Sequence, residues 1–278
     1  MEIKDHWLTS PVKNAIKSPN KSGSLVNPTG IVLHYTASGG SALSDAQYLS
    51  KAVAKASAHV VVGRTGIDDV HQIVPFNQRA WHAGVSSWRG RSNCNDYMFG
   101  IEIDNYGYII QTMDGKFHPG ANPGAVIDPS LVYEGKHKNS NSQYKYWEVY
   151  PQAQIDLVIE LCNLLIKSYP TVKEIVGHDD IAPGRKLDPG PALPWNYILS
   201  NTLGRITSSA RAGRVNARDG LNLRGGPGTN YGIIIEIPYG TFVEIVYDNP
   251  GDWAQVRLVD SAGNVREGYV AARYLDLP

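Results

Sequence analysis

Apolar residues in the first part of the chain repeat with periods that predict several strands of one sheet. The run 30–38 is rich in β-branched residues and is closed by small ones, which is typical of a buried strand. Short apolar runs at 59–63 and 70–74 predict two further strands with a turn between them. In 98–104 alternate residues are apolar, so the residues between them, including Glu102, share the opposite face.

Two other segments have the period of a helix. Ser44 can cap a helix with an apolar side that runs from Leu49 to Ala56. Pro151 can begin a second helix, and the segment that follows it predicts a strand ending at His178. Strands and helices interleaved in this way predict an α/β fold with a mixed central sheet flanked by helices.

The stretch 105–150 contains Gly, Pro, Asn and Tyr but has no clear period. We expect a long loop that covers the sheet and is placed to form one wall of a substrate site.

The composition changes near residue 206. Every lysine lies at or before Lys186, and neither Lys, His nor Cys occurs from Arg214 onward. The last part of the chain contains short apolar runs separated by Gly, Pro, Asn and Asp, which predicts a small all-β barrel. We therefore expect a catalytic domain at 1–205, a small polar linker at 206–213 and a binding domain at 214–278.

Composition excludes several classes of protein. The chain has 278 residues, of which 42% are hydrophobic, and its 26 basic and 26 acidic residues leave no net charge for nonspecific nucleic-acid binding. It contains no apolar run long enough for a membrane span. Cys94 and Cys162 fit neither a disulfide framework nor a CxxC site, so we expect reduced thiols. Any metal site is then built from histidine and carboxylate.

A hydrolytic zinc site needs three protein ligands, a base for the attacking water, and a cation or hydrogen-bond donor for the oxyanion. Four residues could supply the ligands and the cation. His34 lies inside a buried strand, and His178 ends another. Asp188 follows in a loop stiffened by proline and glycine, where Lys186 would face the same side. On spacing alone, a single buried histidine such as His34 is more often a hydrogen-bonded core residue than a metal ligand.

Glu102 is unusual because a carboxylate on a central apolar strand is costly unless it is paired. One interpretation is an ion pair with Lys186 or with an arginine. The other is a base for water beside a nearby cation.

Three segments in order, IVLHYTAS, RAWHAGVSSWRGRSNCNDYMFGIEID and GHDDIAPGRKLDPGP, resemble the N-acetylmuramoyl-L-alanine amidase type 2 family over about residues 25–197. The family includes phage lysozyme-type amidases, cytoplasmic muropeptide amidases and peptidoglycan recognition proteins. The resemblance implies cleavage of the amide between the lactyl group of N-acetylmuramic acid and L-alanine of the stem peptide. It implies Zn²⁺ held by His34, His178 and Asp188, with Glu102 activating water and Lys186 supporting the oxyanion.

Further residues of these segments are candidates for substrate binding. Trp81 and His82 resemble a cleft loop, although a packed aromatic beside a hydrogen-bonded histidine is the alternative. His59 opens a strand as a histidine does in some relatives, and it could be structural. Arg64 and Arg79 could bind stem-peptide carboxylates or be solvated surface charges.

Residues 214–278 resemble a bacterial SH3-type (SH3b) domain through GLNLRGGPGTNYGIIIEIPYGTFVEI, GDWAQVR and GYVAARYL. Such modules often hold wall enzymes on peptidoglycan, so we expect a wall-binding module. The candidate groove aromatics are Tyr231, Tyr239, Trp253 and Tyr269, although a tryptophan on a strand, such as Trp253, more often belongs to the core.

The biological setting is open at this point. The alternatives to a wall amidase are a non-catalytic peptidoglycan-recognition protein, which would usually lose a zinc ligand, and a muropeptide-recycling enzyme. The expected partner is peptidoglycan or a muropeptide, with neither nucleic acid nor a membrane span. The start of the chain lacks the apolar stretch of a secretory signal. We therefore expect synthesis in the cytoplasm and action at the wall or periplasm after lysis or delivery, as a phage endolysin or an antibacterial toxin. A toxin would imply an immunity or inhibitor protein.

Overall fold

The chain folds into two compact units, Met1–Leu193 and Pro194–Pro278. The computed structural model describes all residues except 10, 14–15, 140–142, 204–210, 248–251, 261–264 and 277–278. Among the described residues, no helix is both long and apolar enough to cross a lipid bilayer. Both cysteines are buried and free.

Short strands dominate the first unit. Its strands are β1 (Ile3–Lys4), β2 (Trp7–Leu8), β3 (Lys21–Ser24), β4 (Gly30–Tyr35), β5 (Val60–Val62), β6 (Val70–Gln72), β7 (Gln78–Ala80), β8 (Ser87–Trp88), β9 (Arg91–Ser92), β10 (Met98–Ile103), β11 (Tyr108–Gln111), β12 (Phe117–Pro119), β13 (Val132–Glu134), β14 (Tyr146–Glu148) and β15 (Glu174–Gly177). Its α-helices are α1 (Ala42–Leu49), α2 (Gln152–Ser168) and α3 (His178–Ile181).

The central sheet has five strands in the order β15-β4-β10-β5-β6. The first four run parallel, and β6 pairs antiparallel with β5, which confirms the mixed sheet. Parallel strands covered on both faces need apolar residues almost throughout, and β4 and β10 are buried at nearly every position. In this register Glu102 lies directly beside His34.

The sequence predicts helix α2 better than it predicts helix α1. Pro151 precedes α2 as its N-cap, and the buried stripe includes Ile155, Val158 and Leu165, as expected. For α1 the predicted cap is wrong: Ser41 is the N-cap, and Ser44 completes a reciprocal capping box with it. The α-helix ends at Leu49, and Ala52 and Val53 of the predicted apolar side lie in a separate short 3₁₀ helix, Ala52–Ala54.

The stretch 105–150 contains four strands among its described residues, so the prediction of one long loop is wrong. It forms a four-stranded antiparallel sheet in the order β12-β11-β14-β13. A small cluster of Ile109, Ile127 and Val132 packs on one side of it. Strands of three or four residues are too short to show alternation, and the pairing of β11 with β14 joins residues as far apart as Tyr108 and Trp147.

The second unit begins with α4 (Trp195–Thr202) and continues as an all-β sheet. The strands are β16 (Arg211–Val215), β17 (Leu221–Arg224), β18 (Ile233–Ile237), β19 (Phe242–Tyr247), β20 (Trp253–Val259), β21 (Val265–Ala271) and β22 (Leu275–Asp276). They pair antiparallel in the order β18-β17-β21-β20-β19-β16-β22 around an aliphatic core, as expected for an SH3-type module. The last three residues of the predicted linker belong to β16, and residues 206–210 lie outside the described part of the chain.

Candidate metal centre

Three metal-donor side chains meet at the edge where β4 and β15 end. His34 lies in β4, His178 begins α3 directly after β15, and Asp188 lies in the loop beyond α3. The Nδ1 atoms of the two histidines are 2.9 Å apart, and Asp188 Oδ2 lies 2.9 Å from one and 2.8 Å from the other. All three side chains are buried. The fold thus gathers three donor atoms, widely separated in sequence, around one point.

Each histidine uses its other ring nitrogen for a partner outside this point. His34 Nε2 lies 3.1 Å from His82 Nδ1, and His178 Nε2 lies 3.1 Å from the carbonyl oxygen of Ala83. Burial, and then the neighbouring His178, lower the pKa of His34 to about 4. The ring is therefore neutral at physiological pH, the form in which imidazole binds metals.

Glu102 projects from the central strand β10 toward the same point. Its Oε2 atom is buried and has no hydrogen-bond partner, and none of the ion pairs among the described residues includes Glu102. Burial, followed by the charges of Asp188 and Asp45, holds its pKa well above the ordinary value, while Lys186 opposes this rise. The ion-pair interpretation of Glu102 is therefore not supported, and its carboxylate is free to accept a proton.

A cleft of about 500 Å³ opens over these residues. Glu102, His178 and Asp188 line its floor, and Lys186, which is partly exposed, lines the wall. Trp81 also faces the cleft, with its indole N–H donating to Ser22 Oγ at 2.9 Å. The arrangement combines three metal donors, a base and a cation within one solvent-accessible site.

Comparison with known proteins agrees with this geometry. Residues 24–191 match the family described as N-acetylmuramoyl-L-alanine amidase. The chain belongs to this amidase family. Residues 219–276 match the bacterial SH3 domain, in agreement with the resemblance noted in the sequence.

The relatives of this chain match only part of its length. AmpD of Haemophilus influenzae, a 1,6-anhydro-N-acetylmuramyl-L-alanine amidase, is 35% identical over 53% of this chain and 59% of its own length. The N-acetylmuramoyl-L-alanine amidase AmiD of Escherichia coli is 32% identical over 65% of this chain and 55% of its own. The chain thus spans a little over half the length of these relatives. A selenomethionine crystal structure of AmpD aligns with a TM-score of 0.52 at 27% identity, covering 73% of this chain and 99% of that one.

His59 and His82, which the sequence suggested as substrate contacts, are both buried inside the fold. His82 is buried at the cleft floor, with Nε2 lying 3.1 Å from the carbonyl oxygen of Met98. His59 is fully buried, and it lies against Gln78 O through Nε2 and accepts from the Gly100 N–H through Nδ1. Burial lowers the pKa of both rings. Neither offers a free ring nitrogen to a ligand.

The two predicted substrate arginines do not line the cleft. Arg64 makes a two-pronged ion pair with Glu148, at 2.6 and 3.0 Å, and a third bond to Asp104 at 3.2 Å. Arg79 pairs with Asp96 at 2.7 Å. Arg79 and Asp96 are both partly exposed, which agrees with a surface charge. Arg64 instead pairs with two buried carboxylates, an arrangement that neither interpretation of the sequence included.

The sequence did not single out two residues that hold the metal-donor loop. Arg185 donates to the carbonyl oxygens of Ala83 and Val85, at 2.8 and 2.7 Å. His137 lies 3.0 Å from both Asp179 Oδ2 and the Leu187 carbonyl oxygen. Arg185 stands beside Lys186 in the motif and could have been noticed there. His137 comes from the stretch without a period, which carried no signal.

Proposed function

We propose that this chain is a zinc-dependent N-acetylmuramoyl-L-alanine amidase. It hydrolyses the amide between the lactyl group of N-acetylmuramic acid and L-alanine of the stem peptide. Family membership and the names of the relatives support this reaction. The observation that carries the proposal is the cluster of three donor atoms 2.8–2.9 Å apart, next to a glutamate oxygen with no partner.

The donor set fits zinc better than a hard cation. Two imidazole nitrogens and one carboxylate oxygen are typical of catalytic zinc sites, which keep a fourth position open. Calcium and magnesium would require a site made mainly of oxygen ligands. His34, His178 and Asp188 would hold the ion. When bound, zinc supplies a Lewis acid that acidifies water and polarises a carbonyl group.

The surrounding side chains perform the proton transfer and the charge stabilisation. Glu102 takes a proton from the attacking water and delivers it to the leaving amine of L-alanine. Its raised pKa suits the first half of this task, because a more basic carboxylate takes a proton from water more readily. Lys186, on the cleft wall, stabilises the negative charge that develops on the former carbonyl oxygen.

The second unit binds the wall in this proposal. A cavity of about 640 Å³ in it is lined by charged and aromatic side chains that include Arg218, Asp219 and Trp253. Of the four aromatics suggested by the sequence, only Trp253 lines this cavity. Tyr239 is exposed elsewhere and offers a matched control. A wall-binding unit favours intact peptidoglycan over soluble muropeptides as the substrate.

Digestion of purified sacculi tests the reaction. Wild-type protein with measured zinc content should release free stem peptides of the expected mass, and a chelator should abolish release until zinc is restored. A parallel digestion of soluble 1,6-anhydromuropeptides separates wall hydrolysis from recycling. Zinc binding without any product from either substrate would favour the recognition protein instead.

Sedimentation with sacculi tests the wall-binding role. The full-length Glu102→Gln protein should sediment with the wall, since it binds without digesting it. Adding Trp253→Ala should reduce sedimentation, and adding Tyr239→Ala should not. Equal loss from both changes, or from neither, would contradict a binding site in this cavity.

A further inference from the structure

His82 stands directly behind one of the metal donors. Its Nδ1 atom lies 3.1 Å from His34 Nε2, and its own Nε2 lies 3.1 Å from the carbonyl oxygen of Met98. The side chain is buried and packs edge-on against the rings of His34 and His59. An unpaired charge is costly in such a buried place, so the ring is neutral and carries one N–H.

The partners determine where that N–H lies. A backbone carbonyl can only accept, so His82 must place its proton on Nε2 to bond Met98. Its Nδ1 is then bare and can only accept, which requires the proton of His34 to lie on Nε2. The Nδ1 atom of His34 is left with a free lone pair, directed at His178 Nδ1 and Asp188 Oδ2.

Ala83, the residue after His82, fixes the tautomer of the other donor histidine, His178. The carbonyl oxygen of Ala83 lies 3.1 Å from His178 Nε2, closer than Arg185 Nη2 at 3.4 Å, so the shorter contact places the proton of that ring on Nε2 as well. The side-chain oxygen of Asn95 accepts from the backbone N–H groups of both His82 and Ala83, at 3.0 and 2.8 Å. His82 and Ala83, both held by Asn95, thus contact the Nε2 atoms of the two donor histidines, on the side away from the three donor atoms.

Close packing leaves His82 little freedom to turn. A Cβ atom added at Gly100 on β10 would lie 2.3 Å from His82 Cγ and 2.7 Å from its Nδ1. Such distances are shorter than any real contact, so the ring occupies the space that the glycine leaves. The orientation of His82 is therefore set by the strand as well as by its two hydrogen bonds.

We propose that His82 is a positioning residue, which holds His34 in the Nε2–H tautomer and thereby presents its Nδ1 lone pair to the metal. This inference rests on the proposed zinc site. Partners of this kind typically contribute 10–100-fold to metal affinity. It replaces the expectation that His82 contacts substrate.

Zinc affinity, measured by competition with a chelator on the full-length protein, tests the proposal. His82→Phe keeps an aromatic ring but removes both hydrogen bonds, and it should weaken zinc binding about 10–100-fold. His71→Phe is the matched control, because His71 is another buried histidine of the central sheet that has no contact with the three donors. This control should bind zinc within about twofold of wild type, well below the effect of losing a ligand's partner.

Nitrogen-15 NMR of the histidine rings gives an independent readout. Wild-type protein should show His34 as the Nε2–H tautomer both with and without zinc, and His82→Phe should show a mixture of tautomers without zinc. His34 protonated at Nδ1 in the wild type would overturn the proposal. So would unchanged zinc affinity with a raised KM in His82→Phe, which is the signature of a substrate contact.

Two controls keep the outcomes distinct. If His82→Phe does not fold, Asn95→Ala decides, because it releases the 82–83 backbone and leaves both rings intact. Weaker zinc binding in this variant supports the proposal, and unchanged binding overturns it. If the wild-type protein binds no zinc at all, the proposed function fails rather than this inference.

Discussion

Replacing Arg64 by methionine separates a structural from a substrate-binding role for this residue. The guanidinium group forms three hydrogen bonds with Glu148 and Asp104, whose side chains are 3% and 2% exposed. Methionine retains much of the apolar stem but leaves both carboxylates buried without their cation. Breaking a buried ion pair in this way costs about 3–5 kcal/mol.

That cost converts into a measurable loss of thermal stability. For a unit of this size, 1 kcal/mol lowers Tm by about 2–4 °C, so we expect a fall of about 6–20 °C in the transition of residues 1–193. Calorimetry can resolve this transition from that of the second unit. At temperatures where the variant is folded, KM for muropeptides should equal that of the wild type, since Arg64 does not line the cleft.

The pH dependence of the defect follows from the same pair. Burial raises the pKa of Asp104, and Arg64 opposes that rise, so its removal should raise the pKa further. A carboxyl group with a raised folded-state pKa contributes stability at low pH that is lost as the pH rises through that pKa. The deficit of Arg64→Met should therefore shrink between pH 7 and pH 5. An unchanged Tm with a higher KM would refute this reasoning and restore the substrate role.

Three further variants test the site itself. Glu102→Gln should lower kcat by about 10²–10⁴-fold while zinc stays bound, and metal analysis with stem-peptide release checks both. The same change should raise Tm of the metal-free protein at pH 7 but not at pH 4, since the raised pKa of Glu102 makes its ionised form destabilising. Asp45→Asn removes a charge that raises this pKa, so the acidic limb of the kcat/KM profile should move to lower pH; a shift to higher pH would contradict the assigned direction. Asp188→Ala should abolish zinc binding and stem-peptide release together, and full release without zinc would exclude the proposed mechanism.

The sequence predicted the parts of the site that lie in short motifs of chemically distinctive residues. His34, His178 and Asp188 could be assigned together because three motifs resemble the amidase family, whereas their spacing alone favoured a core role for a buried histidine. The mixed sheet and the all-β second unit were also predictable. Their hydrophobic patterns are local, and each runs over enough residues to show a period.

Only the tertiary structure decided which polar side chains pair with one another. Arg64 pairs with Glu148, 84 positions away, in a sheet whose strands are too short to be recognised in the sequence. His82 is hydrogen-bonded to His34, 48 positions away, and its ring occupies the space left by the absent side chain of Gly100. A sequence specifies which groups can donate, accept or carry charge. The partner of each group depends on strand register and side-chain packing, which exist only once distant segments have come together.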